Sequence, residues 1–141
     1  MDLYLDTSAL VKLYLAEPDR ANVVDAVESA SRITTSVITY AEARSAFSRR
    51  LREAAISGEQ HSTIVQAFDV NWRMFDRIPV LDDIAYMAGE VAHQLALRGL
   101  DALHLASAVW MQRNLPDLVF FTYDTRLLEA ARQVVPVYET G

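Results

Sequence analysis

The chain has no cysteine among its 141 residues, which excludes a disulfide framework and any thiolate metal centre. A reducing compartment suits such a chain. Glycine and proline are scarce too, at 4 each. Linker-rich or repetitive architectures are therefore excluded, and 52% hydrophobic against 23% charged residues is the balance of a folded protein. The length predicts one domain, 1–141, around a single core. No long hydrophobic run is present. The longest apolar stretch, Ala102 to Met111, contains His104 and is too short to span a bilayer, and Met1-Asp2 offers no basic leader. The expectation is a soluble, cytoplasmic protein without a membrane partner. Positive charge is also in short supply: 13 Lys and Arg face 19 Asp and Glu, for a net charge of -6. Binding nucleic acid over the whole surface is disfavoured, because phosphate neutralisation dominates such binding. Only Lys12 is lysine. Arg44, Arg49, Arg50 and Arg52 fall in one segment, read as a solvated helix face and alternatively as forked donors for phosphates.

What the chain does contain is an alternation of short apolar runs with helical periods. Leu3 to Leu5 reads as a buried strand, and Thr7 or Ser8 as the cap of a first helix that Pro18 stops. Further strands are predicted at Arg32–Thr35, Arg77–Leu81, Leu118–Phe121 and Val134–Tyr138. Between them lie helices: a short one restarting at Asp19, then one from Ser36 to about Ser57 closed by Gly58. Others run from Glu59 to about Phe75, from Ile84 to Arg98 closed by Gly99, from Leu100 to Arg113, and from Thr125 to Gln133. Strands alternating with helices require crossovers. The expected class is therefore α/β, a small, mostly parallel five-stranded sheet flanked by helices in a Rossmann-like three-layer arrangement. The two long helices after the second strand form a hairpin. Its stripe of Ile64, Val65, Phe68, Trp72 and Phe75 is read as core, with a partner-binding surface as the alternative.

The acids sit at telling places. Asp6 follows the first strand directly, and an acid at the carboxyl end of a strand in an open α/β sheet stands at the crevice where such folds bind ligands. Its plainer role would be to cap the helix itself. Asp101 opens a helix apolar on nearly every face, with His104 one turn on. A charge carried into that environment needs a partner, unless first-turn amides satisfy it. His104 is read as a hydrogen-bonding core residue. Phe120-Phe121-Thr122-Tyr123-Asp124 follows the logic of the opening stretch, an apolar strand running out into a hydroxyl and then an acid. Glu42 lies in the helix after the second strand, otherwise explained as an exposed partner of Arg49 or Arg50. Carboxylates gathered on one edge repel one another unless a cation neutralises them. All-oxygen donors favour Mg²⁺, with Mn²⁺ as a substitute, over Zn²⁺, and such a metal suits phosphoryl chemistry.

The order Asp6-Thr7-Ser8, Glu42, Asp101 with Leu103-His104-Leu105-Ala106, and Thr122-Tyr123-Asp124 resembles the PIN-domain family over essentially the whole chain. The resemblance is strongest to the VapC-type toxins of bacterial toxin-antitoxin pairs. It implies a PIN-like fold and a Mg²⁺-dependent endoribonuclease that hydrolyses RNA phosphodiester bonds. On this reading Asp6, Glu42, Asp101 and Asp124 are catalytic, with Asp6 and Asp101 the principal metal ligands and Ser8 and Thr122 in support. It also implies a homodimer held inactive by a cognate antitoxin. Two other readings differ in class. A phosphatase of the haloacid dehalogenase type would also place an aspartate after the first strand, but this chain has Ser8 where that family wants a second aspartate, and Lys12 as its only lysine. A non-catalytic interaction module would use the helical hairpin, its acids merely capping helices.

Overall fold

A computed structural model describes residues 1–140. Its sheet has four parallel strands, β1 (Asp2–Leu5), β2 (Arg32–Ser36), β3 (Asp76–Ile78) and β4 (Leu118–Phe121), in the order β3-β2-β1-β4. The helices are α1 (Thr7–Leu10), continued by a 3₁₀ turn at Val11–Leu13, then α2 (Arg20–Ser29), α3 (Thr39–Arg52), α4 (Gly58–Trp72), α5 (Asp82–Leu95), α6 (Gly99–Gln112) and α7 (Thr125–Arg132).

Residue alternation along β1 divides the core between the two faces of the sheet. Leu3 and Leu5 pack with Leu10, Val23, Phe47, Phe68 and Phe121 on one side. Tyr4 packs with Ile84, Leu105, Phe120 and Leu127 on the other. Burial on both faces explains why β1 and β4 read as unbroken apolar runs. Because the strands are parallel, their carboxyl ends share one edge, and the acids after β1 and β4 necessarily emerge there.

The expected fifth strand does not form. Val137 makes a single parallel bridge to Phe120, with Phe120 N donating to Pro136 O and Tyr138 N to Phe120 O. Pro136 has no N–H with which to extend a ladder. The third strand is also shorter than expected and earlier, ending at Ile78 before Pro79. The two glycines read as helix ends are helix beginnings instead. Ser57 caps α4 in a capping box with Gln60, so Gly58 is its first residue. Gly99 likewise opens α6, while α5 ends on Ala96 with φ 53°. The hairpin stripe is core. Phe68 is fully buried, stacked on Tyr40 at 5.2 Å and edge-on to Phe47 at 5.6 Å, so this face turns inward instead of projecting.

Candidate active site

Asp6 ends β1 and caps α1, and the capping role and the clustering of acids turn out to coexist. Its Oδ1 accepts from Ala9 N at 3.0 Å and from Ser8 Oγ at 2.7 Å, while Oδ2 accepts from Thr122 Oγ1 at 2.6 Å. The carboxylate is 3% exposed. Burial outweighs these bonds and raises its pKa above the ordinary carboxylate value. Ser8 and Thr122 thus both donate to the Asp6 carboxylate. Ser8 Oγ also accepts from Tyr123 N at 2.9 Å, which ties the turn after β1 to the turn after β4.

Asp124 is joined to the same group. Its amide donates to Thr122 Oγ1 at 3.0 Å, and its Oδ1 caps α7 by accepting from Leu127 N at 2.9 Å. Its other oxygen, Oδ2, faces Arg98 Nη2 at 3.5 Å, and Arg98 Nε donates to Asp101 Oδ2 at 3.2 Å. One guanidinium therefore spans two of the acids. A cation of the chain itself already stands between two of the acids. The geometry corrects the picture of Asp101 as a buried charge, since its side chain keeps 21% of its exposure at the mouth of α6.

Glu42 is not the exposed partner of Arg49 or Arg50. Its Oε1 accepts from Thr7 Oγ1 at 2.6 Å and lies 2.8 Å from His104 Nε2, while Arg50 pairs with Glu17. Burial raises the Glu42 pKa, but the bonds from His104 and Thr7 outweigh it and the net direction is downward. His104 is buried as expected, with Nδ1 2.9 Å from Tyr4 Oη. Glu42, Arg98, Gly99, Leu100 and Asp101 line one open cleft of about 480 Å³. A larger cleft of about 650 Å³, between Tyr14 and the start of α4, contains none of these groups.

Two groups of contacts thus meet at the end of β1: Glu42 is held by Thr7, the neighbour of Asp6 in the chain, and a second run links Asp6, Thr122, Asp124, Arg98 and Asp101. Tyr4, Thr7 and Arg98 were not singled out for the site from the sequence. The triplet Asp6-Thr7-Ser8 could have flagged Thr7, and the spacing of Arg98 three residues before Asp101 could have flagged the pair. Nothing local marks Tyr4.

For a divalent metal, the donor set fits in kind: every available acid offers hard oxygen, and the guanidinium of Arg98 already bridges two of them as a cation would. Among the described residues, no three Asp, Glu or His side chains converge on one point as a ready shell. Asp6 and Asp101 are the ligands expected from the sequence.

A PIN domain is matched over residues 3–133, and the chain belongs to that family. Among its relatives is Ribonuclease VapC47 of Mycobacterium tuberculosis, 30% identical over 134 residues that cover 94% of this chain and 91% of the relative. Ribonuclease VapC35 of the same organism is 33% identical over 131 residues, 92% of this chain and 89% of the relative. The fold is similar to that of FitAcB from Neisseria gonorrhoeae, with a TM-score of 0.72 at 20% identity over 97% and 96% of the two chains. It is also similar to VapC20 of Mycobacterium tuberculosis, described as a sarcin-ricin loop cleaving toxin, with a TM-score of 0.67 at 16% identity over 91% and 94%.

Proposed function

We propose that this chain is a Mg²⁺-dependent endoribonuclease, with Mn²⁺ able to substitute, and the toxin of a type II toxin-antitoxin pair. The observation that carries the reading is the alignment of Asp6, Glu42, Asp101 and Asp124 along one sheet edge, with Glu42 and Asp101 in one open cleft. The names of the mycobacterial relatives support it. The unit is a single catalytic domain, 1–141, acting in the cytoplasm. Among the described residues no helix is long and apolar enough to cross a membrane.

Asp6 and Asp101 would hold the metal. When bound, it supplies charge neutralisation at the scissile phosphate and acidifies the attacking water. Asp6 enters this role already fixed, because Ser8, Thr122 and the Ala9 amide hold both of its oxygens. Glu42, ionised at neutral pH, is suited to accept a proton from water, and Asp124 would position water on the side of the acid group where its amide meets Thr122. Arg98 competes for Asp101 with any bound cation. Once displaced, its exposed guanidinium is free to meet a phosphate of the RNA.

The partner is an antitoxin segment that places an arginine among the carboxylates, a geometry Arg98 already imitates between Asp101 and Asp124. The active form is a homodimer. A phosphatase of the dehalogenase type finds no support here, since Lys12 is occupied by Glu17 at 2.7 Å and Asp19 at 3.6 Å. The interaction-module reading loses its surface, because the hairpin's Phe68 is interior.

The decisive test is cleavage of a panel of structured RNAs by the wild type and Asp101→Asn, with Mg²⁺ and with chelator, alongside calorimetric titration of Mg²⁺. Wild-type cleavage that disappears with chelator and in the variant is expected, together with loss of metal binding in the variant. Equal cleavage or equal metal affinity in the two proteins would refute the assignment.

A further inference from the structure

Tyr4, His104 and Glu42 form a line of polar groups running from beneath the sheet edge to the cleft. We propose that His104 is a positioning residue for Glu42: locked by Tyr4 in the tautomer protonated on Nε2, it anchors Glu42 Oε1 and leaves Oε2 to face the cleft. This rests on the nuclease reading for its purpose, though not for its geometry.

The hydrogen assignments follow from chemistry. A carboxylate only accepts, so the 2.8 Å contact between His104 Nε2 and Glu42 Oε1 requires the hydrogen on Nε2. In the neutral ring of the proposal, Nδ1 then carries a lone pair in a buried position and needs a donor. Tyr4 Oη lies 2.9 Å away and supplies it. The Tyr4 side chain is fully buried, and burial, reinforced by the charges of Asp6 and Glu42, holds its hydroxyl pKa well above the ordinary value, so the donor is retained. Thr7 has one hydroxyl hydrogen, and at 2.6 Å it goes to the same Oε1, with His104 Nε2 more distant at 3.3 Å.

Glu42 Oε1 therefore receives two donors. The terminal torsion of a glutamate is broad when free, and two bonds on one oxygen fix it, directing the other oxygen at the cleft shared with Asp101. A purely structural residue at position 104 would not need this chemistry. The flanking Leu103, Leu105, Ala106 and Ala108 of α6 are apolar and buried, and replacing a satisfied buried polar pair with apolar groups of similar shape is close to neutral for stability. Ordering a functional group through a buried histidine is a familiar use of the imidazole, whose second nitrogen selects the tautomer.

The test compares His104→Gln, whose amide nitrogen can donate from near the Nε2 position, with His104→Asn, whose shorter amide meets Tyr4 but does not reach Glu42. On an RNA the wild type cleaves, His104→Asn is expected to lower kcat by about 10- to 100-fold at nearly unchanged KM, and His104→Gln to recover most of the loss. Thermal melts confirm that both variants fold. Nitrogen-15 NMR of the metal-free wild type gives a reading that needs no catalysis. The ring is expected to carry its hydrogen on Nε2, and in Tyr4→Phe to exchange between tautomers. A hydrogen on Nδ1 in the wild type, or equal impairment in the Gln and Asn variants, overturns the proposal. A wild type that cleaves no RNA overturns the nuclease reading instead, and the NMR result still decides the anchoring of Glu42.

Discussion

Asp6 and Glu17 are carboxylates eleven residues apart in sequence, yet the fold treats them in opposite ways. Glu17 receives cations: Lys12 Nζ donates to it at 2.7 Å, and Arg50 contacts its other oxygen. Its pKa is lowered, the hydrogen bond from Lys12 being the largest cause. Asp6 receives two hydroxyls and an amide but no lysine or arginine, and burial raises its pKa. A protein selected only to be stable would surround both acids as it surrounds Glu17. Asp6 is held in place with no lysine or arginine beside it, which is the environment the proposed metal-ligand role would need.

Breaking each acid in turn should therefore produce opposite profiles. The largest effect expected is on activity: Asp6→Asn lowers RNA cleavage by at least about 100-fold, the scale associated with losing a few kcal/mol of transition-state stabilisation, while Glu17→Gln leaves the rate within about twofold. Equal losses in a single-turnover assay would erase the distinction between the two regions. Next comes metal linkage. A ligand that binds only the folded state raises its stability, so millimolar Mg²⁺ should raise the Tm of the wild type and of Glu17→Gln, but not that of Asp6→Asn, in a scanning-fluorimetry titration.

The stability shifts are smaller and differ in sign. For Asp6 the folded state binds the proton more tightly than the unfolded chain, so the ionised form opposes folding at neutral pH and relief comes as the pH falls through the raised pKa. Asp6→Asn can keep the helix cap and should raise the Tm of metal-free protein by about 3 °C at neutral pH, an advantage that fades on acidification. For Glu17 the unfolded chain binds the proton more tightly. Its contribution is present above the ordinary carboxylate pKa and disappears as the pH falls through the lowered one. Glu17→Gln should lower the Tm by roughly 2 °C at neutral pH, and the gap to wild type should close as the pH falls through the lowered pKa. Parallel pH–melting curves would show that neither acid is set apart by its surroundings. The smallest effect concerns Arg98, whose side chain is 76% exposed. Arg98→Gln should tighten Mg²⁺ binding by about threefold, as expected for removing one solvent-screened competing charge, measured by calorimetry against wild type.

Much of this arrangement is legible in the chain. Leu3 to Leu5 and Leu118 to Phe121 announce strands by their apolar runs, with Asp6 directly after the first and Asp124 three residues after the second, so their convergence on one edge follows once the strands are parallel. The errors have particular causes. Pro136 sits inside an otherwise strand-like run, and its missing N–H reduces the fifth strand to one bridge. Gly58 and Gly99 look like helix ends, but the left-handed positions that close helices here fall on Ala54 and Ala96, with φ of 57° and 53°. Alanine carries no signal for such a conformation, because it adopts it only when the surrounding structure enforces it.

By itself, then, the sequence determined the parallel α/β sheet, the delivery of Asp6, Asp101 and Asp124 to its carboxyl edge, and the all-oxygen donor set, since these depend on local periodicity and on residue chemistry. The tertiary structure alone decided that Thr7 and His104 hold Glu42, that Arg98 spans Asp101 and Asp124, and that Asp6 and Glu17 ionise under opposite pressures. Hydrogen-bond partnership and desolvation are set by what lies within a few ångströms in space, and for Glu42 and His104 that neighbour is 62 residues away along the chain.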